Sequence, residues 1–139
     1  MPCKSYCRDG EANGKSSCGH HINTLYDFDR SSTKHIFKCT AQGNEEAMCP
    51  CNGRGYGERC EFYQGYMEGS SYTGFMVQDQ VHFGDQYKSG SDAFNFVFGC
   101  IYKETNLFYT QRADGILGMG KGHGIYIKNQ IPIYQAMYE

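Results

Sequence analysis

The chain has 139 residues, a formal net charge of −2, a pI near 6.2, 12 Tyr, 9 Phe, 18 Gly and no Trp. That length allows one domain with a core of its own, and the aromatic, Gly-rich composition favours strands over helices. The charge balance gives no reason to expect nucleic acid or an anionic membrane as partner, no apolar run is long enough to span a bilayer, and Met1-Pro2-Cys3 does not open a signal peptide.

Residues 1–60 show little periodicity and hold seven of the eight cysteines: Cys3, Cys7, Cys18, Cys39, Cys49, Cys51 and Cys60. An even cysteine count in a polar, Gly-rich setting argues for disulfides and an oxidising compartment, with cross-links doing ordering that a core would otherwise do. Zinc is the rival reading, since Cys3, Cys7, Cys18, His20, His21 and Cys49-x-Cys51 are metal-type ligands. Structural zinc sites bring two matching knuckles of C-x2–4-C type, and Cys49-x-Cys51 is too short to be the second. No metal or other cofactor is expected. The run Thr33 to Cys39 reads as a short strand.

Glu61 to Phe83 reads as two strands joined by the tip Glu68-Gly69-Ser70-Ser71, a hairpin. In its second strand Phe75, Val77, Val81 and Phe83 fall on one face and Met76, Gln78, Gln80 and His82 on the other, while Asp79 interrupts the apolar face. A polar loop, Gly84 to Asp92, follows. The next strand puts Phe94, Phe96, Phe98 and Cys100 on one face, with Asn95, Val97 and Gly99 on the other. Ala113-Asp114-Gly115-Ile116-Leu117-Gly118-Met119-Gly120 comes next. Lys121 among glycines imitates a phosphate loop, but Gly122 stands where Ser or Thr would have to bind magnesium. These glycines instead suit tight turns and close packing after a buried strand. Ile125 to Glu139 starts as a strand and becomes a helix near Asn129, with Pro132 in its first turn.

Three of these stretches carry a resemblance. Tyr66-x-x-Gly69-Ser70 with Thr73-Gly74 and Asp79-x-Val81, then Phe98-Gly99-Cys100, then Ala113 to Gly120 resemble, in order, the flap hairpin, an F-G-C strand end and the A-D-G-I-L-G-L-G motif of pepsin-like aspartic proteases in the nepenthesin and plasmepsin V branch. The likeness is firmest over Phe62 to Gly120 and loosest over residues 8–30, where Arg8 to Lys15 look inserted. It implies an all-β fold: a partial N-terminal lobe of the pepsin-like bilobal β fold, with a disulfide-rich insert and one short helix near the C-terminus. Residues 1–60 then resemble the cysteine-rich insert, and 61–139 the remainder of that lobe, with the C-terminal lobe absent.

The implied function is that of a fragment of an aspartic endopeptidase, in which two aspartates activate a water for attack on the peptide carbonyl. Neither D-T-G nor D-S-G occurs, so no catalytic residue lies in this chain and the fragment alone is expected to be inactive. Asp79 and Asp114 read as structural acids. Substrate binding is implied for Tyr66, Glu68, Gly69 and Ser70 on the flap, and for Leu107, Phe108 and Ile116 in the primary hydrophobic pocket. The partners implied are a peptide or protein substrate and the missing C-terminal lobe, with no nucleic acid and no membrane contact from this segment. The implied setting is the secretory pathway: vacuolar or lysosomal, ER or extracellular. The resemblance also implies bridges Cys3–Cys7, Cys18–Cys100, Cys39–Cys60 and Cys49–Cys51. The alternatives are a non-catalytic protease-like binding or inhibitor module and a disulfide-rich extracellular interaction domain.

Overall fold

The computed structural model describes residues 1–4, 6–7, 17–39, 49, 51, 58–83, 93–119 and 132–137. The stretch at Arg8 to Lys15 that reads as inserted, the 84–92 loop, the glycines from Gly120 to Gly124, the strand expected from Ile125 and the helix start expected near Asn129 lie outside them.

One four-stranded antiparallel sheet organises the described chain: β1 (His35–Ile36), β2 (Glu61–Gly65), β3 (Ser71–Val81) and β4 (Phe94–Thr105). Central β3 has β4 along one edge from Val81↔Phe94 to Ser71↔Thr105. Its other edge is shared, β2 pairing with residues 71–75 and β1 with Val77 and Gln78. A bulge leaves Tyr102 unopposed, between the pairs Thr73↔Lys103 and Gly74↔Ile101. β4 thus runs five residues past the Phe94–Cys100 strand expected from its alternation.

Both faces of the sheet are covered, each by a cysteine-bearing segment. On one, Phe75 and Val77 are fully buried with Cys100, beneath Cys3, Tyr6, Tyr26 and Phe28. On the other, Phe62, Met76 and Ile101 pack with Phe37 and the cysteines 39, 49, 51 and 60. Alternation alone places Met76 on a polar face; the disulfide cluster covers that face and buries it. Phe83, expected on the apolar face, lies past the end of β3 and is exposed.

All eight cysteines are bridged, but every pairing differs from the implied one. The bridges are Cys3–Cys100, Cys7–Cys18, Cys39–Cys51 and Cys49–Cys60. The reason is which segments the sheet makes neighbours. The Cys3 N–H donates to Ile101 O at 2.9 Å in a parallel bridge along β4, which sets Cys3 beside Cys100 and leaves Cys7 to Cys18. Cys49 and Cys51 reach different partners, which avoids the strained ring that a bridge between such close neighbours requires. The sulfurs that a zinc reading would need are therefore all in disulfides.

Two short helices follow. α1 (Asn106–Thr110) continues directly from β4, and α2 (Ile133–Ala136) buries Ile133 and Ala136 with Pro132 as its N-terminal cap. The latter is the described part of the helix expected near Asn129. α1 is an addition, since the sequence reading assigns no helix there.

Candidate functional site

The β2–β3 hairpin turns over five residues. Tyr66 N–H donates to Ser70 O at 2.9 Å, Gly69 N–H to Tyr66 O at 3.0 Å, and Gly69 takes a φ of 92° that a side chain rarely adopts. The tip is tied to α1. The Ser70 hydroxyl oxygen accepts from Leu107 N–H at 3.1 Å, and Asn106 Nδ2 donates to Gly69 O at 2.8 Å. Thr105, in the capping position of α1, bonds Ser71 instead, so Ser70 supplies the cap from the hairpin tip. Glu68 is exposed at the tip. The Ser70 hydroxyl, followed by backbone N–H groups, donates to its carboxylate and holds it below the ordinary carboxylate range.

Beside the hairpin lies a cleft of about 210 Å³ whose apolar lining includes Phe62, Tyr72, Met76, Ile101, Phe108 and Ile116. Tyr66 extends this aromatic strip, its ring 5.2 Å from Phe108, while Tyr72 meets Phe108 edge-on at 5.1 Å. Gln64, Glu104 and Gln111 supply polar groups to the lining.

Of the residues expected to bind substrate, the structure brings Tyr66, Gly69, Ser70, Leu107 and Phe108 together at the junction of the hairpin with α1. Phe108 and Ile116 line one cleft. Leu107 is half exposed and off the lining, and its main chain rather than its side chain meets the hairpin. Ser70 is only 1% exposed and its carbonyl is engaged by Tyr66 N–H. Tyr72 and Gln64 were missed, although extending the alternation back from Met76 would have placed Tyr72 on the cleft face, with Gln64 opposite it in the ladder. Glu104 and Gln111 carry no signal of their own in the sequence.

The segment 111–119 has no regular structure, and Ile116, Leu117 and Met119 are exposed. The close packing expected of its glycines is not present at Gly118, where a Cβ would meet nothing within 4 Å. The 19–23 segment holds this strip. Asn23 N–H donates to Asp114 Oδ1 at 3.0 Å and its side-chain amide to Oδ2, and the backbone bond from Asn23 leads the causes that depress the Asp114 pKa. Asp79 is buried against Tyr26 and Thr33, whose hydroxyls donate to its carboxylate. Both acids thus sit in structural hydrogen-bond roles.

Four disulfides place the chain in an oxidising compartment. The family described as Xylanase inhibitor N-terminal matches residues 1–130. Among curated relatives, Aspartic protease 5 of Toxoplasma gondii is 38% identical over 122 residues, 79% of this chain and 12% of its own length. Plasmepsin V of Plasmodium falciparum (isolate 3D7) is 33% identical over 106 residues, 76% of this chain and 17% of its own length. The chain spans less than a fifth of the length of either relative. With its antiparallel sheet and a match over almost its whole length, the chain belongs to the Xylanase inhibitor N-terminal family, the N-terminal part of the pepsin-like aspartic proteases.

Proposed function

We propose that this chain is part of the N-terminal lobe of an aspartic endopeptidase whose two catalytic aspartates lie in flanking parts of the protein. The observation that carries the reading is the hairpin tip latched beside an aromatic cleft, in a chain whose relatives are aspartic proteases. In this reading β2–β3 is the flap. Tyr66 closes over the scissile bond, Gly69 and Ser70 contribute backbone to the substrate, and Leu107, Phe108 and Ile116 form the pocket for an apolar residue next to the cut. Closure excludes water other than the attacking one and fixes the peptide against the catalytic pair. Glu68, ionised at the tip, selects a basic residue slightly upstream of the cut. The exposed Leu107, Ile116, Leu117 and Met119 would meet the second lobe or the substrate, so residues 1–139 alone should be poorly soluble. The compartment is the secretory pathway or a space it feeds.

The test is the full-length reading frame. Purified full-length protein should cleave an acid-protease substrate, be blocked by pepstatin, and lose activity on Asp→Asn substitution in each flanking D-T/S-G motif, while residues 1–139 alone cleave nothing. The family description favours a second reading, an inhibitor or binding module. Flanking sequence without either motif, in a protein that binds a partner and cleaves no peptide, would establish it.

A further inference from the structure

His21 and Glu104 form the most buried ion pair among the described residues, with side chains 2% and 5% exposed and Nε2 2.9 Å from Oε2. The other ring nitrogen is also engaged. His21 Nδ1 lies 2.7 Å from Ala113 O, and because a carbonyl only accepts, Nδ1 donates. Glu104 Oε2 accepts a second bond, from Gly19 N–H at 3.1 Å. The bonds from Asn23 to Asp114 described above and that from Ile22 N–H to Arg112 O at 3.0 Å run alongside. Behind them, Ser17 Oγ donates to Tyr102 O at 2.8 Å, Glu104 N–H donates to Ser17 O at 3.0 Å, and Cys18 is bridged to Cys7.

The 17–23 segment therefore fastens the end of β4 to the strip that carries Ile116. Glu104 and Ile116 both line the cleft, and the strip has no strand ladder of its own to fix it. A pair this buried adds little net stability over an apolar replacement, because desolvation offsets most of its attraction. What it supplies is register. The pair accepts from Gly19 and donates to Ala113, so 19–21, β4 and 112–116 hold one relative position.

We infer that His21 and Glu104 are positioning residues for the cleft wall, setting the depth of its apolar pocket and so the size of side chain accepted next to the scissile bond. This rests on the peptidase reading, and two measurements on the full-length protein separate the two. One is amide hydrogen exchange at Ile22 and Asn23. The other is the ratio of kcat/KM for peptides with Leu and with Ala next to the cut.

His21→Ala and Glu104→Ala should each speed exchange at those amides about tenfold. They should lower the Leu-to-Ala ratio about tenfold, mainly through KM for the Leu peptide. Glu104→Gln, whose amide oxygen can take the place of Oε2 and accept from both Gly19 N–H and Nε2–H, should keep both values within about twofold of the parent. Unchanged exchange in the Ala variants overturns the brace. Faster exchange with an unchanged ratio reduces the pair to a structural one, and a Gln variant as impaired as Ala overturns the hydrogen-bond geometry drawn here. If His21→Ala does not fold, Asn23→Ala removes only the exposed side-chain contact to Asp114, leaving the backbone N–H bond, and should move exchange at Ile22 and the ratio in the same direction; no movement in either overturns the inference. Protein that cleaves no peptide at all defeats the peptidase reading, while exchange still decides the brace.

Discussion

The Ser70 hydroxyl oxygen lies 3.1 Å from Leu107 N and is the acceptor that begins α1. A hairpin tip and a helix start, thirty-seven residues apart in the chain, are thereby one structural unit. Ser70→Ala leaves the Leu107 N–H without this acceptor at a nearly fully buried position, which costs about 1–2 kcal/mol. Urea denaturation should show that loss, and Ser70→Thr should recover most of it. Equal stability for Ala and parent would mean the hairpin and α1 are held by other contacts.

Gly99, in Phe98-Gly99-Cys100, is the floor on which Phe62 lies. A Cβ there would stand 2.4 Å from Phe62 Cζ, far inside any real contact. Gly99→Ala should therefore destabilise by about 1–3 kcal/mol through overpacking. Phe62→Leu should cost less in the Gly99→Ala background than in the parent, because the smaller side chain relieves the clash. Strictly additive losses in that double-mutant cycle would refute the assigned contact.

The disulfides give a direct chemical test. Non-reducing peptide mapping should recover Cys3–Cys100, Cys7–Cys18, Cys39–Cys51 and Cys49–Cys60. Cys3–Cys100 spans 97 residues, and the chain-entropy model gives a loop of that size at most about 4–5 kcal/mol. Cys3→Ser with Cys100→Ser should thus be the most damaging of the four paired replacements. Cys18 bound to Cys100 would contradict the arrangement.

What was legible in the sequence followed from period-two alternation. Phe75 and Val77 advertise a buried strand face, and the Gly-Ser tip between two aromatic runs advertises the turn. The cysteine pairing was not legible, because it depends on which strand the N-terminal segment lies along, a long-range fact set by the Pro2–Ile101 bridge. Nor was α1: Asn-Leu-Phe-Tyr-Thr is five residues of which only Leu is a strong helix former, and its cap comes from Ser70 in the distant hairpin tip. Gly19 shows the same limit. Its need for no side chain comes from Tyr109 O, which a Cβ would meet at 1.8 Å, and nothing near it in sequence says so.

Asp79 sets a pH dependence. Burial opposes its ionisation, but hydrogen bonds from Ser31, Thr33, Tyr26 and the Gln80 N–H outweigh that and hold the carboxyl below its ordinary 3.8. Its folded pKa lies below its unfolded one, so its contribution is complete above about pH 4 and is lost as pH falls through the folded value. Asp79→Asn should therefore be less stable than the parent at pH 7, by about 1.5–3 kcal/mol. The two stabilities should converge as pH drops below 4. Denaturation curves between pH 7 and pH 3 check this; a difference that ignores pH would show that the charge contributes nothing.

Glu68 carries the specificity proposed above. Its carboxylate is kept ionised by the Ser70 hydroxyl and by backbone N–H groups, so it faces solvent as a fixed negative charge at the hairpin tip. That cap does not exhaust it, since a carboxylate has about four acceptor sites and a guanidinium fork needs two. If the tip only bears a solvated charge, an Arg ligand gains no more than an exposed pair gives, about 1 kcal/mol or roughly fivefold. If the tip closes over the substrate, water is excluded and the pair gains more than that. A peptide-library profile of the full-length protein should show a basic residue favoured slightly upstream of an apolar one, with Arg ahead of Lys because only Arg pairs bidentately. Glu68→Gln should cut that Arg preference by more than about fivefold, the limit for an exposed pair, while leaving the apolar preference next to the cut intact. Ser70→Ala, which removes the hydroxyl that orients the carboxylate, should weaken the same preference less. Arg selectivity that is absent, or that survives Glu68→Gln at full strength, would leave Glu68 as a surface charge serving only the turn.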